Sequence, residues 1–261
     1  MNVLLELDAH PVIGHRGAAM HAPENTLPSF AAAVEAGVDA IELDVHVTAD
    51  GIPVVIHDAT LDRTTDRRGA VAALTLAQVQ EADAGAHFTV DGGRTFPWRG
   101  RGVRVPTLDE VLAAFPGVPV ALEVKTPQAQ GAIRRLLEAR GEAGRCVVAA
   151  SAASALAAFR AAPFLLGACQ RDTLRLLLGA LLHRPPRAVP YRALFLPEHH
   201  RGIPIVTPRL VAAARALGCP VHVWTVDTVP RAARLWEAGV AGIVSNDPGT
   251  IIAARDARRG A

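Results

Sequence analysis

Short apolar, β-branched runs recur along this chain, and most are followed by an Ala/Leu/Arg-rich stretch of helical period. The runs are PVIGH (11–15), AIELDV (40–45), PVVIH (53–57), PVALEV (119–124), CVVAAS (146–151), FLLGAC (164–169), ALFLP (193–197), PVHVWTV (220–226) and AGIVS (241–245). Between them lie predicted helices at 26–37, 132–144, 208–218 and 229–239. Several end in Gly, the residue favoured just past a helix C-terminus. The strand runs are continuously apolar, which fits burial on both faces. Strand and helix alternating over a whole chain predict a parallel sheet covered by helices. At 261 residues the leading architecture is a closed (β/α)8 TIM-type barrel in the α/β class, with a doubly wound open sheet as the alternative. Against the open sheet, no G-x-G-x-x-G or Walker A sequence follows the first run. Nine runs compete for eight places, so one is an extra edge strand or no strand at all, with 193–197 a candidate.

One segment breaks the rhythm. Residues 83–111, DAGAHFTVDGGRTFPWRGRGVRVPTLDEV, are rich in Gly, Arg and aromatics and have little periodicity. They read as a small insertion over one mouth of a distorted barrel. No internal repeat or low-complexity linker divides the chain, so residues 11–255 are expected to form a single domain.

Composition narrows the field. A net charge of +2 gives no reason to expect a nucleic-acid partner. Cys146, Cys169 and Cys219 lie far apart with no paired spacing, as reduced thiols of a cytoplasmic protein do. The N-terminus lacks a basic start and carries Glu6 and Asp8, a poor signal peptide. The most apolar helical stretch, TLRLLLGALL (173–182), is about half the length a bilayer span needs, so no stable membrane insertion is expected. Oligomeric state is not legible.

The unusual polar residues fall at strand ends, where the side chains of such a barrel meet at its active mouth. His15 and Arg16 end the first run, Glu42 and Asp44 lie in the second, His57 and Asp58 close the third, and Glu123 and Lys125 the fourth. Residues i and i+2 share a strand face, so Glu42 points with Asp44, and Glu123 with Lys125, while Leu43, Val45, Leu122 and Val124 face the other way. Three converging carboxylates repel one another unless a cation sits among them. Oxygen ligands alone suit Mg²⁺ or Ca²⁺. Two histidines supply an acid and a base near neutral pH, and Arg16 and Lys125 add positive charge for an anion. Together these point to phosphoryl chemistry on a diester or similar group.

Each feature alone has a structural explanation. Glu123 and Lys125 can be an internal ion pair, His57–Asp58 a turn, and His15–Arg16 a surface loop. His46 shares the face of Glu42 and Asp44 as a possible supporting residue, and Trp224 reads as an apolar wall of the substrate pocket. The remaining histidines, His21, His87, His199, His200 and His222 among them, are read as structural. One count stands out: of 27 basic residues, 26 are arginine, and Lys125 is the only lysine.

Residues 14–65, GHRGAAMHAPENTLPSFAAAVEAGVDAIELDVHVTADGIPVVIHDATLDRTT, resemble the N-terminal signature of the glycerophosphodiester phosphodiesterase family. Its H-R-G, E-N-T, E-x-D-V, T-x-D-G and V-x-H-D elements are all present. LEVK (122–125) is similar to the family's E-x-K element, and VHVWTVD and AGIVSNDP to its C-terminal strands. The resemblance implies a distorted barrel that hydrolyses a small-molecule glycerophosphodiester to sn-glycerol 3-phosphate and an alcohol with a divalent metal. Carried over by position, it implies Glu42, Asp44 and Glu123 on the metal, His15 and His57 as the acid/base pair, and Arg16 and Lys125 on the phosphate. Glu24 and Asn25, from E-N-T, support them. Three departures stand apart from these residues: Asp227 where the family often has Asn, no Phe in AASAAS (149–154), and a longer turn at TTDRRG (64–69). A lysophospholipase D is the alternative, on the apolar stretch LRLLLGALL (174–182), and a non-catalytic binding barrel a second.

Overall fold

Alternation inside each apolar run decides what faces what. The computed structural model describes residues 2–260. In chain order its strands are β1 (Val12–His15), β2 (Ala40–Val47), β3 (Pro53–Val55), β4 (Val120–Val124), β5 (Cys146–Ala149) and β6 (Leu165–Leu166). They continue with β7 (Leu194–Pro197), the hairpin pair β8 (His199–His200) and β9 (Ile203–Pro204), β10 (Val221–Trp224) and β11 (Gly242–Ser245). The helices are α1 (Leu27–Glu35), α2 (Leu76–Gln80), α3 (Leu108–Ala114), α4 (Gln130–Arg140), α5 (Gln170–Leu181), α6 (Pro208–Ala216), α7 (Val229–Glu237) and α8 (Pro248–Arg259).

Eight strands run parallel in the order β6-β5-β4-β2-β1-β11-β10-β7. A bridge between Gly167 and Ala193 brings β7 back to β6, with the Ala168 N–H donating to the Ala193 carbonyl at 2.9 Å. The result is a distorted TIM-type barrel. Outward side chains such as Leu43, Val45, Leu122, Val124, Val148, Leu196, Val223 and Ile243 pack against the helices in one large core. Inward ones are small: Ala40, Ala121 and Ala193 leave room for the fully buried Leu4 to fill the lower end, with Ile13, Val147 and Val244 around it. Leu4 also fixes the floor through a polar contact, its carbonyl accepting from His222 Nε2 at 2.9 Å. Burial pushes the His222 imidazole down to about 4, so the ring is neutral at physiological pH. His222 is thus structural, as its sequence context suggests.

Two expectations are corrected. Residues 194–197 form a barrel strand, and the extra run is 53–57, of which Pro53–Val55 pairs antiparallel with the far end of β2 (Val45 with Val55, Val47 with Pro53). The link between them is a tight turn in which the Thr48 N–H donates to the Ile52 carbonyl at 3.0 Å. A parallel return needs a crossover of roughly a dozen residues, which this turn cannot supply. The irregular excursion also begins before residue 83. Val54, Ile56, Leu61, Val71, Val79, Val103 and Val105 form its own small core. Residues 107–111 already belong to the start of α3, where Thr107 and Glu110 form a reciprocal capping box.

The barrel floor leaves no room at Gly242. A Cβ there would lie 2.3 Å from His222 Nδ1 and 3.0 Å from the Pro11 carbonyl oxygen. Gly242→Ala is expected to cost about 1–3 kcal/mol of stability through overpacking. Urea unfolding monitored by circular dichroism checks this, and an unchanged midpoint would show that the floor relaxes freely.

Candidate active site

Strand register brings the polar residues together. His15 sits opposite Glu42 between β1 and β2, and Asp44 opposite Glu123 between β2 and β4. One oxygen from each of Glu42, Asp44 and Glu123 lies within 4.8 Å of the others. They line a cavity of about 520 Å³, together with His15, His57 and Lys125. Leu174, Leu177, Phe195, Ile205 and Trp224 are among its apolar lining. No residue of 83–111 lines it.

Asp44 is the hub, only 1 % exposed. Lys125 Nζ reaches its Oδ1 at 3.1 Å and Asn25 Nδ2 donates to its Oδ2 at 2.9 Å, while Arg16 Nε approaches Oδ2 at 3.2 Å. Burial alone would raise the Asp44 carboxyl, but Lys125 and Arg16 outweigh it and hold the group below its ordinary range. Lys125 also lies 3.3 Å from Glu123 Oε2. Glu42 fares differently. It accepts the Arg16 backbone N–H at 3.0 Å, but among the described residues no Lys or Arg side chain forms a salt bridge with it. Burial, then the charge of Asp44, pushes its carboxyl well above the usual carboxylate value. Three oxygen donors with negative charge left uncompensated form a set that can hold a hard divalent cation.

The loop after β1 delivers Arg16 and Asn25 in left-handed backbone conformations, at φ 53° and 57°. It is tied by the Asn25 N–H donating to the Arg16 carbonyl at 3.0 Å. Gly17, at φ 90°, is required between them, because a Cβ there would lie 2.4 Å from Ser29 Oγ. The H-R-G element is therefore a backbone requirement as well as a source of side chains.

The two histidines are held from behind by different groups. Asn246 Nδ2 donates to Asp227 Oδ2 at 2.9 Å, which turns Asn246 Oδ1 toward His15 Nδ1 at 2.7 Å. A carbonyl oxygen only accepts, so His15 Nδ1 carries the hydrogen, and Nε2, without it, faces Glu42 Oε2 at 4.0 Å. Burial, then Arg16, lowers the His15 imidazole below its ordinary 6.5. His57 Nδ1 instead meets the carboxylate of Asp58 at 2.6 Å. His46 lies 3.1 Å from the His57 carbonyl through Nε2 and supports that segment.

Sequence reasoning missed three residues here: Arg63, Asn246 and Asp227. Arg63 donates to Glu24 at 2.7 and 2.8 Å and to Asp58 at 2.7 and 3.1 Å, while Glu24 also takes Arg16 at 2.9 Å. One guanidinium thus joins the support of Arg16 to the support of His57. Its hydrogen bonds hold the Asp58 carboxyl far below the usual range. The signal was present in the D-R-T-T that ends the quoted N-terminal signature.

The family matched by this distorted barrel is one of phosphoric diester hydrolases. The chain is a member of the glycerophosphoryl diester phosphodiesterase family, whose model matches residues 15–250. A glycerophosphodiester phosphodiesterase of Caldanaerobacter subterraneus subsp. tengcongensis is 33% identical over 92% of this chain and 96% of its own length. Among solved structures, the glycerophosphoryl diester phosphodiesterase domain of an uncharacterized Mycobacterium tuberculosis protein superposes with a TM-score of 0.85 at 27% identity, over 95% of this chain and 99% of that one. An Oleispira antarctica phosphodiesterase, solved in complex with the product sn-glycerol-3-phosphate, matches with a TM-score of 0.75 at 25% identity, over 94% and 96% of the two chains.

Arg63→Lys keeps the charge but loses the fork that grips two carboxylates at once. It is expected to lower kcat about ten- to a hundred-fold through misplacement of the histidine side of the site, with the fold intact. Steady-state kinetics beside a thermal melt read this out. Unchanged kcat would mean that His57 is held without the bridge.

Proposed function

We propose that this protein hydrolyses glycerophosphodiesters to sn-glycerol 3-phosphate and an alcohol, with His15 as general base and His57 as general acid. The observation that carries the reading is a pair of histidines lining the same cavity as the Glu42, Asp44 and Glu123 cluster, each with its Nδ1 engaged. Glu42, Asp44 and Glu123 would hold Mg²⁺ or Ca²⁺, which supplies charge neutralisation at the phosphoryl oxygens when bound. Arg16 and Lys125 orient the phosphate, and Trp224, 41 % exposed, forms an apolar wall of the pocket. His15 takes the proton of the attacking glycerol 2-hydroxyl at Nε2. As the new P–O bond forms and the bond to the alcohol breaks, His57 gives its proton to the departing oxygen. The cyclic glycerol phosphate is then opened by water, with the two histidines in exchanged roles. Three buried cysteines that form no disulfide support a reducing, cytoplasmic setting.

The decisive experiment is release of glycerol 3-phosphate from a panel of glycerophosphodiesters, with and without chelator, with lysophosphatidylcholine alongside. Chelation is expected to abolish turnover and added Mg²⁺ or Ca²⁺ to restore it. Glu42→Ala, Asp44→Ala and Glu123→Ala are each expected to be inactive but folded. Full activity in metal-free protein would overturn the reading.

The lowered His15 imidazole gives a pH prediction. Its neutral, basic form persists below pH 6.5, so the acidic limb of kcat/KM is expected below that value. His15→Ala should remove that limb and cost on the order of 10²-fold or more in kcat. A profile that keeps the limb in the variant would assign the base elsewhere.

Lys125 carries a third test. Its ammonium fits between Asp44 and Glu123 as a point charge, where the planar fork of arginine would displace a carboxylate. Lys125→Arg is expected to be nearly as damaging as Lys125→Ala, each costing roughly 2–4 kcal/mol of transition-state stabilisation. Measuring kcat/KM for both decides it. Near-normal turnover in the arginine variant would make the lone lysine an accident of composition.

A further inference from the structure

The apolar wall of the cavity does not end at the rim. Leu174 lines the cavity and is 54 % exposed, and from it a stripe continues along the outer face of α5. Leu178, Leu181 and Leu182 follow at helical spacing and are 49, 48 and 70 % exposed, while Leu176 and Ala180 hold the buried face. Four exposed leucines in register on one helix form a patch that packing within the barrel does not account for.

The segment that carries this stripe is strongly basic. Between Arg160 and Arg209 the chain carries eight arginines and only two acids, Asp172 and Glu198, although its overall net charge is just +2. Both acids are already engaged: Asp172 caps the start of α5 against Cys169, and Glu198 pairs with Arg231. Arg171 and Arg175 flank the leucines on α5 itself and are exposed. Arg184 and Arg187 follow the helix in a turn packed back on it, where the Arg184 N–H donates to the Gly179 carbonyl at 2.7 Å. Gly179 is needed for that approach, since a Cβ there would lie 2.9 Å from the Arg184 carbonyl oxygen. On the mouth side, Ile203 in the β8–β9 hairpin is 62 % exposed, next but one to Arg201.

We propose that this face of α5 and the turn that follows it dock on an anionic lipid surface, with the leucines entering the interface and the arginines meeting the headgroups. A nucleic acid would satisfy the arginines but leave four leucines in water. A second copy would cover the leucines but set two cationic faces against each other. An anionic bilayer satisfies both. The docking is peripheral, since no described helix is long and apolar enough to cross a membrane. It holds the mouth near the headgroups without changing the chemistry inside.

Co-sedimentation of the full chain with vesicles tests this. Binding is expected to phosphatidylcholine vesicles containing phosphatidylglycerol, to fall with salt, and to be weak for phosphatidylcholine alone. Arg175→Glu and Arg184→Glu should each cut partitioning about five-fold or more. Leu178→Ser with Leu182→Ser should cut it roughly ten-fold or more. None of these side chains lines the cavity, so turnover of a water-soluble glycerophosphodiester and the thermal midpoint should not change; loss of that turnover in wild-type protein would fault the proposed function and leave the docking result standing. No binding to anionic vesicles, or binding indifferent to the leucine substitutions, would overturn the proposal. So would sedimentation velocity showing a dimer that Leu182→Ser dissociates.

Discussion

Everything at the mouth of this barrel depends on keeping one carboxylate, Asp44, charged where almost no water reaches it. A buried anion is stable only when its lone pairs are taken up by donors and its charge by cations held in place. Lys125, Arg16 and Asn25 meet that need from three different segments, and each brings a constraint of its own. Arg16 and Asn25 reach Asp44 only from left-handed backbone, which forces glycine at 17 and the tight packing on Ser29. Lys125 reaches it only because β4 lies beside β2 in a register that sets Glu123 opposite Asp44. Glu24 then holds Arg16, Arg63 holds Glu24 and Asp58, and Asp58 holds His57. The geometry of the site follows outward from the neutralisation of a single group. Glu42, which lacks such partners, is left as the charge that a bound ion would complete.

Much of this was legible before any coordinates, for a physical reason. In a parallel barrel the inward and outward faces of each strand alternate, so polar residues two apart inside an apolar run must share a face. Glu42 with Asp44 and Glu123 with Lys125 obey that rule, while Leu43, Val45, Leu122 and Val124 pack outward against helices. What failed was the assignment of the extra strand. PVVIH and ALFLP are equally apolar, and periodicity does not separate them. The distinction lay in the connection: TADG after β2 is a turn, too short for a parallel return, and it predicts a hairpin. The same turn explains the placement of His57, which stands just past a short strand paired beyond the barrel rim and so reaches the site from a supporting excursion.

Arg63, Asn246 and Asp227 were missed because their roles are relational. Asp227 and Asn246 directly follow the apolar runs PVHVWTV and AGIVS, but a lone carboxylate and an amide there pair with nothing nearby in sequence, and an arginine in this arginine-rich chain carries no signal by composition. Their importance appears only when hydrogen bonds are traced from a histidine backwards. Asp227, a departure from the Asn common in the family, is absorbed without strain: its carboxylate accepts from the Ser245 hydroxyl and from both the backbone and side-chain nitrogens of Asn246.

What stands behind each histidine is also what separates base from acid in the proposed reaction. An imidazole backed by a neutral carbonyl oxygen gains orientation and a fixed tautomer but little charge stabilisation, so it remains the free base. One backed by a carboxylate is oriented by an anion instead. His15 has the first arrangement, through Asn246, and lies in a drier place beside Arg16, which further disfavours its protonation. His57 has the second, through Asp58, itself kept ionised by Arg63. Two identical side chains lining one cavity thereby have unlike partners behind them. The cost of that arrangement is carried in the loop after β1 and in the excursion after β3, well away from the barrel floor where Leu4, His222 and Gly242 close the fold.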